Sequence, residues 1–244
     1  MIDRLKYSMQ ALQMLTRAQE VVANNMANIN TPGFKGDKLF FRAFQDAVGG
    51  RHQITPQETL QMHQGPLEST GNPFDLAIHG DGFFEVEKDG NLFLTRDGRF
   101  QLDAGGYLVD SNGGKVQGIS GPIQLTELMP SGNGGQRNIT VDISQDGTVR
   151  VNDKIRDQIS LVQVDDVSSL RHRTNAYFEH IDDDQLQPDI NSEIQQGFYE
   201  NSNVDPLQEM VKMTKNARLF ESQQRALRTS DELLSRVTTQ LGKF

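Results

Sequence analysis

Residues 205–241 read DPLQEMVKMTKNARLFESQQRALRTSDELLSRVTTQL, and this stretch decides the architecture of the chain. Asp205 and Pro206 supply an N-cap and a first-turn proline, with Gln208 where the partner of a capping box sits. From there Met213, Phe220, Leu227, Leu234 and Leu241 recur at steps of seven. A seven-residue repeat sustained over several heptads predicts a coiled-coil-like seam. The complementary positions begin apolar at Met210 and Ala217 and turn polar at Gln224, Asp231 and Thr238, so the expected partner is not a simple two-stranded zipper. Gly242 stands where a helix stop is expected. As one helix the stretch spans about 55 Å, at ~1.5 Å per residue, too long for a small domain to half-bury.

The other end of the chain carries a second apolar stripe. Leu5, Met9, Leu12, Leu15, Ala18, Val22, Met26 and Ile29 recur at steps of three and four, one face of a helix. Thr31-Pro32-Gly33 closes it, because proline disfavours helix in the residue before it and glycine permits the turn. Neither stripe is satisfied alone, and helices draw most of their stability from packing such a face. The two ends are therefore expected to come together.

Between them the pattern changes to β. Asp81-Gly82, Asp89-Gly90, Asp97-Gly98, Gly105-Gly106, Asn112-Gly113 and Asp146-Gly147 punctuate short runs such as Phe83-Phe84-Glu85-Val86, Leu92-Phe93-Leu94 and Tyr107-Leu108-Val109. Asx-Gly pairs favour the positive φ angles of tight hairpins, which predicts an antiparallel meander. Further strands are expected at Ile139–Ile143, Thr148–Val151, Ile155–Val164 and Ala176–Phe178, and a surface loop at Leu128–Gln136. Residues 31–72 fit neither pattern and read as a connector. The expected fold is α+β: N- and C-terminal helices paired as a coiled-coil-like element, with a central antiparallel β domain. The expected domains are an N-terminal helix over 1–30, the connector over 31–72, the β domain over 73–200 and a C-terminal helix over 201–244.

Composition excludes several functions. The 244 residues are 35% hydrophobic, with a mean hydropathy of −0.57, which suits an elongated molecule or surfaces covered only in an assembly. The chain has no cysteine, so disulfides, thiol nucleophiles and Cys-based zinc sites are absent. Residues 1–45 carry 6 basic and 3 acidic side chains and residues 201–244 carry 7 and 5, whereas residues 46–200 carry 11 and 25. A nucleic-acid binder would show a basic field on its folded domain, and this middle is strongly acidic. No stretch approaches the roughly 20 apolar residues of a membrane span. Met1 to Ala27 lacks the continuous apolar run of about 7–15 residues that a secretory signal needs, so export would take another route.

No catalytic, cofactor or metal site emerges. His52, His63, His79, His172 and His180 have no metal-ligand spacing, and Asp182-Asp183-Asp184 lacks the alternate oxygens and turn glycine of a calcium loop. Gly80-Asp81-Gly82 does not open a helix and is better read as a hairpin than as a phosphate cradle. Nucleophile-elbow and phosphate-loop sequences are missing. Glu85 and Glu87, on one face of a strand, are uninformative in so acidic a chain.

Four segments carry a resemblance. Ala23-Asn24-Asn25-Met26-Ala27-Asn28-Ile29-Asn30-Thr31-Pro32-Gly33-Phe34-Lys35 resembles the end of the first helix in the flagellar rod and hook family. Gly71-Asn72-Pro73-Phe74-Asp75-Leu76-Ala77-Ile78 with Gly80-Asp81-Gly82-Phe83-Phe84 resembles the start of that family's β domain, and Thr95-Arg96-Asp97-Gly98 with Phe100 and Leu102 the hairpin after it. Asn201-Ser202-Asn203-Val204-Asp205-Pro206 through Met210 and Met213 resembles the entry to its last helix. Residues 115–195 show only general β character.

The resemblance implies a flagellar basal-body rod protein, of the proximal-rod or the distal-rod type, that polymerises and catalyses nothing. It implies a helical assembly in the rod within the periplasmic space, with terminal helices inside and β domains outside. The implied partners are other copies, neighbouring rod proteins and the flagellar type III export apparatus, with the surrounding ring proteins a further candidate. No cofactor, nucleic acid or membrane insertion is expected. The candidate interface comprises Leu5, Met9, Leu12, Leu15, Val22, Asn24, Asn25, Asn28 and Ile29 with Met213, Phe220, Leu227, Leu234 and Leu241. Asn24, Asn25, Asn28 and Asn30 also suit a rigid corner, since Asn side chains bond across helix ends and turns. Two other classes remain open at this point: a ligand- or carbohydrate-binding β protein with helical appendages, and a fibre or tail subunit of another secretion or phage system.

Overall fold

A helix at each end and a run of short strands between them make up the chain. The first helix, α1, spans Ile2–Ala27 and the second, α2, spans Pro206–Leu241. The computed structural model describes residues 2–45, 52–126, 140–173, 176–180 and 186–241. The loop expected at Leu128–Gln136, the strand start at Ile139 and the acidic run Asp182–Asp184 lie outside those residues. The chain divides into two compact units, one made of Met1–Ala27, Asp37–Thr59 and Asp205–Phe244, the other of Asn28–Gly36 and Leu60–Val204.

In the first unit α1 packs along α2. Residues 31–72, read from the sequence as a connector, contain more regular structure than their polar composition suggested. Strands Asp37–Gln45 and His52–Leu60 pair as a two-stranded sheet, and Leu67–Ser69 pairs with Phe198–Glu200. Arg17 of α1 reaches Glu20 at 2.8 Å and Glu58 at 2.5 Å.

The second unit is antiparallel β. Its main sheet runs in the order Leu170–His172, Tyr177–His180, Asn91–Thr95, Phe83–Lys88, Lys115–Gly118, Leu108–Val109, Gln101–Leu102. Leu161–Gln163 also pairs with Phe83–Lys88. A three-stranded sheet, Val141–Ile143, Thr148–Val151 and Lys154–Gln158, and a pair of Leu76–His79 with Glu193–Gln196 complete it.

Alternation along Phe83–Lys88 divides the core, since successive side chains of a strand leave by opposite faces. Phe84 and Val86 enter a large cluster with Leu76, Ile78, Leu108 and Val149. Phe83 enters a smaller one with Leu60, Leu94, Val162, Leu170 and Phe178. Each such side chain contributes about 1.5–3 kcal/mol by leaving water. The Lys88–Asn91 hairpin turns through Asp89 and Gly90, with φ of 53° and 78°. Two positive φ angles give a turn whose twist matches the strands it joins.

Candidate assembly surface and helix roots

Asp205 caps α2: its Oδ1 accepts from Leu207 N at 2.9 Å and Gln208 N at 3.3 Å. Beyond the cap, Glu209 is buried and Met213, Asn216, Phe220, Gln223 and Leu227 are half-buried, while the positions between are exposed. Steps of four and three place these six residues on one face, the arrangement of a heptad seam. The face turned inward in this chain therefore joins Met213, Phe220 and Leu227 to the polar Glu209, Asn216 and Gln223. Met210, Ala217 and Gln224, expected from the sequence to be the companion row, are exposed. The groove beside this face is lined from α1 by Ala11, Leu15, Ala18 and Val22.

On α1, Val22 and Asn25 are buried and Leu12 and Leu15 half-buried, whereas Met9 is exposed. Leu5, Leu234 and Leu241 lie on the two helices, with side chains outside the described set. At about 100° per residue, Leu207 and Val211 fall on the side of α2 opposite Glu209 and Phe220, with Met210 on the flank between. Leu207, Met210 and Val211 are 71%, 54% and 62% exposed. These three apolar side chains are left in water on a helix whose other face is already used.

The asparagines of the first signature act locally. Asn25 bonds the Asp37 backbone, and Asn24 Nδ2 lies 3.4 Å from Asp37 Oδ2. Asn28 accepts from Thr31 through both its backbone and its side-chain oxygen, at 3.1 and 3.2 Å, in the turn after α1. Ile29 is half-buried in that turn and Asn30 exposed.

The segments leading out of α1 and into α2 meet inside the β unit. Glu200 Oε1 accepts from Lys35 Nζ at 2.6 Å and from Gly65 N at 2.7 Å. Its Oε2 lies 3.4 Å from Arg96 Nη1, and its backbone oxygen accepts from Gly33 N at 2.8 Å. Lys35, Arg96 and Glu200 are each no more than 1% exposed. Burial is the main cause that pulls the Lys35 ammonium below its ordinary value; neighbouring Arg96 adds to this and Glu200 opposes it. Arg96 is lowered too, again mainly by burial. Its second anchor is Gly80 O, at 2.8 Å.

Asn203 makes a second tie: Oδ1 accepts from Gly36 N at 2.8 Å, while Nδ2 donates to Gln61 O and His63 O at 2.7 and 2.9 Å. Gly33, with φ +68°, sits against the backbone of Arg96 and Asp97, where a Cβ would come within 2.2 Å of Asp97 N. Phe34 stacks on His172 at 4.8 Å, and the His172 ring lies 2.7 Å from Lys35 O. His172 is thus taken up by this packing. Among the described residues no group of three His, Cys, Asp or Glu side chains is placed to hold a metal ion, and no helix is long and apolar enough to cross a membrane.

Three families match in chain order. Residues 5–35 match "Flagella basal body rod protein", residues 77–151 "Flagellar hook protein FlgE/F/G D1 domain", and residues 195–241 "Flagellar basal body rod FlgEFG protein C-terminal". The flagellar basal-body rod protein FlgF of Caulobacter vibrioides is 32% identical, over 94% of this chain and 94% of its own. This chain belongs to the flagellar basal-body rod protein family. FlgG of Buchnera aphidicola (subsp. Schizaphis graminum) is 29% identical over 98% of this chain and 99% of its own, and FlgG of Bacillus subtilis 30% over 88% and 90%. The first family match ends on the rod protein's Lys35, and the last contains its Glu200 and α2. Both roots thus fall within family-matched sequence.

Proposed function

We propose that this structural rod protein assembles helically through its terminal helices, copy against copy and against neighbouring rod proteins, as part of the flagellar drive shaft. The observation that carries the reading is the exposed apolar stripe Leu207, Met210 and Val211 on α2, outside the face formed by Glu209 to Leu227. The heptad spacing of Glu209 to Leu227 supports a coiled-coil-like pairing of α1 and α2, and the polar half of that seam favours a bundle over a two-stranded zipper. In this reading residues 1–30 and 201–244 form the helical core of the assembly, residues 73–200 its outer β domain, and Leu5, Met9, Asn24, Leu234 and Leu241 take part with the half-buried seam in contacts between subunits. Its place is the rod within the periplasmic space, reached through the flagellar type III export apparatus, with the ring proteins around it. Electron microscopy of the purified chain at rising concentration tests this: helical rods or tubes are expected. A monodisperse monomer at every concentration, alone and mixed with other rod proteins, would overturn it.

A further inference from the structure

We propose that Lys35, Arg96 and Glu200 are positioning residues, a buried ionic clamp that holds the root of α1 and the root of α2 together in the β unit. That the clamp transmits torque rests on the rod reading above; the clamp itself does not.

The chemistry favours a positioning device over ordinary core packing. A buried ion pair adds little net stability, because desolvation offsets most of its attraction, but removing one partner strands the other charge. Here two cations share one carboxylate, and the three side chains belong to neither apolar cluster. What the arrangement supplies is direction. The Glu200 carboxylate takes bonds from three separate segments, at Lys35, Gly65 and Arg96. Charge-assisted bonds are orientation-dependent, and those from Lys35 and Gly65, at 2.6 and 2.7 Å, are short, with Arg96 further off at 3.4 Å.

Position along the chain points the same way. Lys35 follows the end of α1 by eight residues, and Glu200 precedes the α2 cap by five. Backbones press together on both sides of the ions. A Cβ on Gly33 would meet Asp97 N at 2.2 Å, and one on Gly65 would meet Asn201 O at 2.1 Å. Residues 28–36, after α1, and 198–204, before α2, both lie in the β unit, and the clamp makes those two segments one anchor. An apolar anchor would slide; one carboxylate bonded to three segments does not.

The test begins with hydrogen exchange on the purified full chain and its Glu200→Gln variant. Peptides covering residues 31–36 and 61–66 should exchange about 100-fold faster, the effect of losing charge-assisted bonds to a buried carboxylate, while residues 83–88 keep their protection. Unchanged exchange at 31–36, or an equal loss throughout the β unit, overturns the clamp. Lys35→Met keeps Glu200 beside Arg96 and so tolerates the change better; it must loosen residues 31–36 by itself. The chain has no cysteine, so a Gly36→Cys, Asn203→Cys pair in the Glu200→Gln background should restore protection when oxidised and not when reduced.

In cells, Glu200→Gln should still build rods but lose motility disproportionately in viscous medium, with the oxidised cysteine pair restoring it. Equal swimming at every viscosity overturns the role in transmitting torque. Failure of the unaltered chain to complement a strain lacking this rod subunit would instead count against the rod reading, and the exchange result would stand.

Discussion

Asn25 and Asp37 bond each other in both directions: Asn25 Nδ2 donates to Asp37 O and Asp37 N donates to Asn25 Oδ1, both at 2.9 Å. A side-chain amide here stands in for a neighbouring strand, pairing the first backbone groups of the 37–45 strand beside the last turn of α1. Asn25 is 1% exposed, so its loss removes one buried hydrogen-bond partner from each of those groups. Asn25→Ala should destabilise the helical unit by about 1–3 kcal/mol, the usual cost of stranding buried polar groups. Asn25→Asp still offers Asp37 N an acceptor. Amide exchange at Asp37 should therefore rise in the Ala variant and much less in the Asp variant; equal rates in the two would contradict the pairing.

Gly33 and Gly90 both have positive φ, 68° and 78°, but only Gly33 lies against other backbone. Nothing lies within 4 Å of a Cβ built on Gly90. Gly90→Ala should then cost about 1 kcal/mol, for the left-handed backbone alone. Gly33→Ala adds an overlap that no rotamer relieves and should cost more than ~3 kcal/mol. Urea unfolding of the two variants measures the difference.

What the sequence revealed follows what is local. The repeat Met213, Phe220, Leu227 is visible because a helix face repeats within a few residues. Its companion row was not, because Glu209, Asn216 and Gln223 are polar, and hydropathy pointed to Met210 and Ala217 instead. Asp89-Gly90 was legible as a hairpin by its glycine. The matching turn at Asn152-Asp153, with φ of 50° and 62°, was not, because two Asx residues adopt the left-handed backbone without one. Asp97-Gly98 has the hairpin signature but no hairpin: Gly98 lies against Leu76, whose N–H donates to Gly98 O at 2.9 Å. The clamp gives no periodic signal at all. Lys35 and Glu200 are 165 residues apart, and a lysine and a glutamate read singly look like surface residues.

Tyr177 donates to buried Asp110, and its phenol is raised above its ordinary 10.0, first by burial and then by that bond. A raised folded-state value means the folded chain holds its proton longer than the unfolded one. The stabilisation is complete below pH 10 and is lost as pH climbs from there through the folded-state value. The β unit should weaken progressively above pH 10 in urea titrations. Tyr177→Phe should be less stable at neutral pH, with Asp110 Oδ2 losing its phenol donor while Oδ1 keeps Asn112 N and Gly114 N, and should show a shallower alkaline decline. Parallel curves for the two proteins would exclude Tyr177 as the source.

The two faces of α2 should separate folding from assembly. Met210 and Val211 are exposed and lie outside the face formed by Glu209 to Leu227, so placing aspartates there costs the single chain little: surface substitutions usually stay within about 0.5 kcal/mol. In a polymer whose contacts use that face, each subunit would bury two carboxylates without partners, at several kcal/mol apiece. Met210→Asp with Val211→Asp should therefore leave the helicity and β-unit melting of the monomer unchanged, yet abolish rods by electron microscopy and motility in a complemented strain. Phe220→Asp strikes the other face, beside Glu209 and Asn216, and should lower helicity in the monomer before any assembly is attempted. Gln224→Glu, at a position already polar and exposed, should do neither. Secretion has to be measured for each variant, because a subunit that is never exported also abolishes motility. Full rod formation by the Met210, Val211 double variant would show that this stripe faces solvent in the polymer as well, and the contact would then have to be sought on the outer face of α1, where Met9 is exposed.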